Sequence, residues 1–217
     1  MIKAVIFDLD GTLLYTLDSI KKSVNTVLKN HSLPPQPEQN IKKIVGDGVI
    51  DLMIRAFKAS GSDEQVGEDI VSEFRACFKY DCDYNVKPYE GIPEVIEYLK
   101  TNDIKIACNS NKPDVNAKLI VNKHFGDDFD FVLGNVDYLP KKPDKAGAEL
   151  VLKELGIKKE ECVYIGDSDV DVFTAKNLGC TSIGAAWGYR GREELENSGA
   201  DYIAEKPIDI IEIFKQI

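Results

Sequence analysis

The residues of this 217-residue chain best suited to chemistry are carboxylates gathered in two short stretches. The first is Phe7-Asp8-Leu9-Asp10-Gly11-Thr12-Leu13, which follows the apolar run Ile2–Phe7. Alternation along an extended chain puts Asp8 and Asp10 on one side and turns Leu9 away. The second is Ile165-Gly166-Asp167-Ser168-Asp169-Val170-Asp171, with Asp171 one helical turn beyond Asp167. Taken singly, each stretch has an ordinary explanation: a solvated turn after a strand, or a helix start capped by Ser168 or Asp169. Brought together, up to four carboxylates repel strongly unless a cation joins them. An all-oxygen ligand set around a charged substrate fits Mg²⁺.

Two further stretches complete a reacting set. Asn109-Ser110-Asn111-Lys112-Pro113 offers a hydroxyl followed by backbone donors, and Lys141-Lys142-Pro143-Asp144 offers a cation. A nucleophilic carboxylate, a second carboxylate, a metal site, a hydroxyl donor and an ammonium are what phosphoryl transfer through an aspartyl phosphate requires.

These groups must sit at the ends of elements that converge. Short apolar runs rich in β-branched residues predict strands at Ile2–Phe7, Ile104–Asn109, Phe129–Leu133, Cys162–Ile165 and Cys180–Gly184. Helical patterns lie between them at Gly91–Thr101, Pro113–Lys123, Lys145–Leu155 and Val170–Leu178. This alternation predicts an α/β fold with a Rossmann-like parallel sheet covered on both faces, whose strand C-termini form the ligand crevice. One region breaks the rhythm. Leu17–Asn30, Gln39–Val45, Val49–Ala59 and Asp63–Tyr80 read as amphipathic helices with no strand among them. The expected organisation is a core of residues 1–14 and 87–217, an inserted all-helical unit over 15–86, and hinges near 14–16 and 85–90. The tail, 200–217, reads as a short edge strand and a final helix.

Composition narrows the function. With 27 basic and 37 acidic side chains the net charge is −10, which repels nucleic-acid backbones and anionic membranes. No apolar run is long enough to cross a bilayer, and the N-terminal run is too short for a secretory signal, so a cytoplasmic protein is expected. The five cysteines show no CxxC pair, and only His31 and His124 could join them around zinc.

The ordered motifs Asp8-Leu9-Asp10-Gly11-Thr12-Leu13, Ser110-Asn111, Lys142-Pro143 and Gly166-Asp167-Ser168-Asp169-Val170-Asp171 resemble those of the haloacid-dehalogenase-like superfamily over nearly the whole chain. The helical insertion resembles the family's C1 cap. Gly46, the Ser110-Asn111-Lys112-Pro113 run and Trp187-Gly188-Tyr189 resemble phosphoglycolate-phosphatase-like members. The resemblance implies that Asp8 attacks phosphorus, and that Asp10 protonates the leaving group and later deprotonates water. It implies Mg²⁺ held by Asp8, the Asp10 carbonyl and Asp167, with Asp171 close behind. Ser110 and Lys142 would bind phosphoryl oxygens, Asn111 and the backbone of Leu9 would add donors, and Gly46 would belong to a specificity loop.

The reading is therefore a Mg²⁺-dependent phosphomonoesterase for a small phosphorylated metabolite, with 2-phosphoglycolate the first candidate, as a monomer or homodimer. A sugar phosphomutase, a pyrophosphatase and a nucleotide phosphatase share the same machinery, and a binding protein that kept the fold is the non-enzyme alternative. Lys42, Lys43, Arg55 and Arg75 of the insertion are the candidate partners for substrate charge.

Overall fold

A computed structural model describes residues 1–217. Strand β1 (Ala4–Phe7) is buried at all four positions, as a run apolar on both sides of the pleat must be in a covered parallel sheet. The chain then forms the two-residue β2 (Leu14–Tyr15) and four helices: α1 (Leu17–Asn30), α2 (Glu38–Ile44), α3 (Val49–Ala59) and α4 (Glu68–Asp81). It returns through β3 (Lys87–Pro88). The alternation resumes with α5 (Ile92–Thr101), β4 (Lys105–Pro113), α6 (Asp114–Phe125), β5 (Phe131–Asn135) and α7 (Ala146–Leu155). After one 3₁₀ turn at Lys159–Glu161 come β6 (Cys162–Gly166), α8 (Asp169–Leu178), β7 (Thr181–Ala185), α9 (Arg192–Asn197), β8 (Tyr202–Ala204) and α10 (Asp209–Phe214).

The six long strands make one parallel sheet in the order β5-β4-β1-β6-β7-β8. The sheet is an α/β core as the alternation requires. Chain order reverses at β1, so the segments leaving β1, β4 and β6 open side by side at the carboxyl edge, where such sheets bind ligands.

The helical insertion packs by its periodicity. Leu17, Ile20, Val24, Val27 and Leu28 fall three or four apart on α1 and are buried, as are Ile70, Val71, Phe74 and Phe78 on α4, which packs against α1. One apolar cluster joins all of these but Val71 to Leu13 and to the sheet residues Val5, Phe7 and Val163. Burying the side chains of this shared cluster is worth roughly 1.5–3 kcal/mol each, so the helices are anchored on the core.

Three local features depart from the sequence reading. The hinges near residues 14–16 and 85–90 are not loops but an antiparallel pair, Leu14 to Pro88 and Tyr15 to Lys87, flanked by an edge-to-face contact of Tyr15 with Tyr89. Helix α4 starts at Glu68 instead of Asp63: Ser62 Oγ accepts from Glu64 N, holding that stretch as a loop, and Gly67 is a poor helix former. Helix α9 had no periodic signature because Leu195 alone is buried on it.

Polar contacts tie the insertion to the core at Thr16, at Asp83, which pairs with Lys123 and His124, and most densely at residues 42–51. Arg190, in the loop after β7, donates to the carbonyls of Lys42, Lys43 and Val45 at 3.3, 2.6 and 2.9 Å. These are the unpaired carbonyls and the negative dipole end of α2, the place where a planar guanidinium is most useful. Asn111 donates to Gly46 O at 3.0 Å, and Lys141 pairs with Asp51 and donates to Asp47 O at 2.6 Å. Losing the Arg190 bonds should cost ~1–2 kcal/mol, so Arg190→Met should lower the melting temperature by ~2–8 °C. Arg190→Lys should recover less than half of that, since one ammonium cannot serve three carbonyls in a fork. An unchanged melting temperature in Arg190→Met would show that these bonds do not hold the insertion down.

Candidate active site

Asp8 leaves the end of β1 with 7% of its surface exposed, and its Oδ1 accepts from Lys142 Nζ at 2.6 Å. Lys142 reaches it from the loop before α7 and also donates to Asp171 Oδ1 at 2.7 Å. The other Asp171 oxygen accepts from the backbone N and hydroxyl of Ser168, at 3.2 and 2.7 Å, which fixes the first turn of α8. Ser168 occupies the N-cap position while the Asp169 carboxylate takes the Val170 N–H, so capping and site construction share this turn.

Asp167, at the tip of β6, completes the cluster: oxygens of Asp8, Asp167 and Asp171 all lie within 4.8 Å of one another. Its carboxylate accepts from Tyr189 N at 2.6 Å and from Thr12 Oγ1 at 3.4 Å. Two glycines let the backbone close around it. At Gly11, with φ near +91°, an added Cβ would stand 2.4 Å from Asp167 Oδ2, and at Gly188 it would stand 2.2 Å from Asp167 Cβ. The Trp187-Gly188-Tyr189 loop seen in the sequence therefore builds a wall of the site. Trp187 Nε1 donates to Thr12 O, and the Tyr189 hydroxyl bonds Thr16.

The balance of charge is unfavourable without a further cation. One ammonium faces three buried carboxylates. Burial pushes the Asp8 carboxyl up to about 7, with Lys142 pulling it down and Asp171 raising it. Burial and the neighbouring Asp8 and Asp171 hold Asp167 well above the usual carboxylate range. Burial opposes the charge on Lys142, but the Asp171 and Asp8 carboxylates outweigh it and keep that group firmly protonated. The second Asp8 oxygen accepts no hydrogen bond from the chain, and the donor set is oxygen only. A hard divalent cation fits this set. Asp8 is the most open ligand, because its second oxygen is unpaired while both oxygens of Asp167 and of Asp171 already accept hydrogen bonds.

The structure brings together the polar side chains of the four sequence motifs. Ser110 and Asn111 lie near the carboxyl end of β4, both buried, and Ser110 Oγ accepts from Lys112 N at 3.2 Å. Asn111 bonds the backbone on both sides of Lys142, accepting from Lys142 N at 2.9 Å and donating to its carbonyl at 3.2 Å, besides reaching Gly46. Its amide thus shapes the site. Leu9 is wholly buried and does not line the cleft, unlike Asp8 and Asp10 on either side of it. Gly46, Gly48 and Val45 line the same cleft from the helical side.

Two residues escaped the sequence reading. Lys112 Nζ donates to both oxygens of Asp10, at 2.9 and 3.2 Å, and Arg190 also lines the cleft. The expected cations of the insertion do not line it. Arg55 pairs with Asp47, Arg75 with Glu68, and Lys42 and Lys43 meet the core through their carbonyls. Their spacing on the helices did not reveal which side faced the cleft.

A group whose folded pKa is raised binds its proton more tightly in the folded state, so its burial costs nothing below the unfolded value and costs most above the folded one. For Asp8 that window runs from about 4 to about 7. The chelator-treated protein should therefore lose melting temperature between pH 5 and pH 8 through this cluster. Asp167→Asn, which removes one repelling charge, should raise the metal-free melting temperature at pH 8 more than at pH 5. An equal effect at both pH values would contradict the repulsion.

Comparison with known proteins places these features. The family model for haloacid dehalogenase-like hydrolases matches residues 5–185. The phosphoglycolate phosphatase of Rhodospirillum rubrum is 32% identical over 207 residues, covering 92% of this chain and 86% of that one. That of Pectobacterium atrosepticum is 28% identical over 213 residues, covering 97% and 91%. Among solved structures, a predicted phosphoglycolate phosphatase from Haemophilus somnus superposes with a TM-score of 0.87 at 28% identity, over 98% of both chains. With the family model spanning all four motifs, the chain belongs to the haloacid dehalogenase-like hydrolase family.

Proposed function

We propose that the protein is a Mg²⁺-dependent phosphomonoesterase that works through a phosphoryl group carried on Asp8, and that residues 15–86 act as a cap over the reacting centre. The observation that carries this reading is the Lys142 bridge: a buried ammonium 2.6 Å from Asp8 Oδ1, beside two further carboxylates at the switch point of the sheet. Mg²⁺ held by Asp8, Asp167 and the Asp10 carbonyl, with Asp171 behind, would neutralise the phosphoryl oxygens and the cluster together.

The chain's own groups account for the rest. The Asp8 oxygen forms the new bond to phosphorus as the bond to the ester oxygen breaks, and Asp10 delivers a proton to that oxygen. Water then attacks phosphorus, Asp10 takes its proton, and the bond to Asp8 breaks to restore the carboxylate. Lys142 holds Asp8 in position and screens the transferring oxygens, and Ser110 offers its hydroxyl to one of them. Compensation of charge at fixed positions is the main contribution open to a protein in such a transfer. Asn111 keeps the Lys142 backbone in register with the Gly46 segment, so closure of the cap and placement of the ammonium are linked.

The substrate class follows from the relatives and the cleft. Phosphoglycolate phosphatases align with nearly the whole chain, and the cap side of the cleft is apolar and close, which suits a small ester. 2-Phosphoglycolate is the first candidate.

Hydrolysis of an aryl phosphate should vanish with EDTA and return with excess Mg²⁺; undiminished turnover by metal-free protein would refute the metal assignment. Ca²⁺ should bind and support little turnover, because its looser shell holds the reacting groups less well in line. Asp8→Asn should abolish turnover, whereas Asp10→Asn should lose ~100- to 10,000-fold and still accumulate phosphoenzyme from an ester with a good leaving group. In a kcat/KM screen over phosphoglycolate, pyrophosphate, nucleoside monophosphates and hexose phosphates, phosphoglycolate should lead. A tenfold lead for another member, about 1.4 kcal/mol of transition-state preference, would displace it.

A further inference from the structure

The cleft has an asymmetric lining. From the helical side come Ile20, Val45, Val49, Leu52, Phe74 and Phe78, all apolar, together with two glycines. Every cation on the wall comes from the core: Lys142, Arg190 and Lys112. Lys142 is committed to Asp8 and Asp171, and Arg190 to the carbonyls at the end of α2. Lys112 differs from both. Its side chain is 2% exposed, it meets Asp10 alone, and its Nζ stands 4.6 Å from the centre of the Phe78 ring on α4. An ammonium has three donors, and the chain accepts only two contacts from this one, both from a single carboxylate.

We propose that Lys112 is the specificity-determining cation of this enzyme, binding the anionic group on the part of the substrate that is not transferred. The inference rests on the phosphomonoesterase reading above and names who reads the second charge: a core lysine, not a residue of the cap. Lys112 lies two residues beyond Ser110, and its N–H donates to the Ser110 hydroxyl. The hydroxyl read as phosphoryl-binding and the ammonium are therefore held two residues apart at the end of β4, so a charge only a carbon or two from the phosphate can reach Lys112. Phe78 covers the ammonium from the cap, which strips water from an ion pair formed there and strengthens it. The apolar roof has no donor for an extended sugar or base.

The test compares phosphoglycolate with its neutral carboxamide analogue in the wild-type protein, Lys112→Met and Lys112→Arg, all with Mg²⁺. Methionine keeps the length and the contact with Phe78 while removing the charge. Because Lys112 also holds Asp10, both esters should slow in Lys112→Met, and the readout is the ratio of their kcat/KM values. That ratio should be well above one in the wild type. It should fall by ~10- to 100-fold in Lys112→Met, the worth of a hydrogen bond to a charged group, chiefly through KM for the charged ester. Lys112→Arg should retain a preference for the anion.

An equal loss for both esters would overturn the proposal and leave Lys112 as a positioning residue for Asp10. A wild-type ratio near one would also overturn it, while leaving the phosphomonoesterase reading intact. Absence of Mg²⁺-dependent turnover of any phosphate ester by the wild type would instead remove that reading, and the proposal with it. Matched melting temperatures of wild type and Lys112→Met separate these outcomes from misfolding.

Discussion

One ammonium set against three buried carboxylates is the constraint on which the rest of this structure depends. At about 4 Å two like charges in a protein environment of moderate polarity repel by ~4 kcal/mol, and Asp8, Asp167 and Asp171 are packed within 4.8 Å. Lys142 answers part of that repulsion by bridging two of them. The remainder demands a cation or a proton, and the raised Asp8 and Asp167 carboxyls express that demand. Much of the local architecture serves to hold the cluster closed against its own repulsion. Gly11 and Gly188 let two loops approach Asp167, Tyr189 N and Thr12 bond it, and Ser168 pins Asp171.

The helical insertion extends the same logic outward. Its apolar face is continuous with the core cluster, and residues 42–51 carry the densest group of its polar ties to the core. Asn111 takes part on both sides, bonding the Lys142 backbone and the Gly46 carbonyl. A movement of the Gly46 segment is therefore felt at the ammonium that holds Asp8. The charged groups sit on the sheet edge and the helical side of the cleft is apolar, an arrangement that would suit the proposed reaction, stabilised by dry, fixed charge.

Much of this was legible in the sequence, and the physical reason is local. The strands around Asp8, Ser110 and Asp167 end in abrupt changes from apolar to polar residues, and parallel α/β folding brings such ends together without further information. What escaped was nonlocal. Lys112 meets Asp10 across 102 residues and Arg190 meets Lys43 across 147, and no periodicity marks a lysine at a strand's end as buried. The cations of the insertion were misplaced for the converse reason: their spacing places them on helices, but only packing shows that Arg55 and Arg75 turn to Asp47 and Glu68. The antiparallel pair β2 and β3, two residues each, is too short for alternation to reveal.

The charge balance at the cluster can be measured directly. Titration calorimetry of Mg²⁺ into chelator-stripped protein near pH 7, repeated in buffers of different ionisation enthalpy, reports both ion binding and the protons displaced. The account predicts one ion per chain with net release of protons, and loss of that site in Asp167→Asn. Binding that persists unchanged in Asp167→Asn, or that displaces no proton in the wild type, would contradict it.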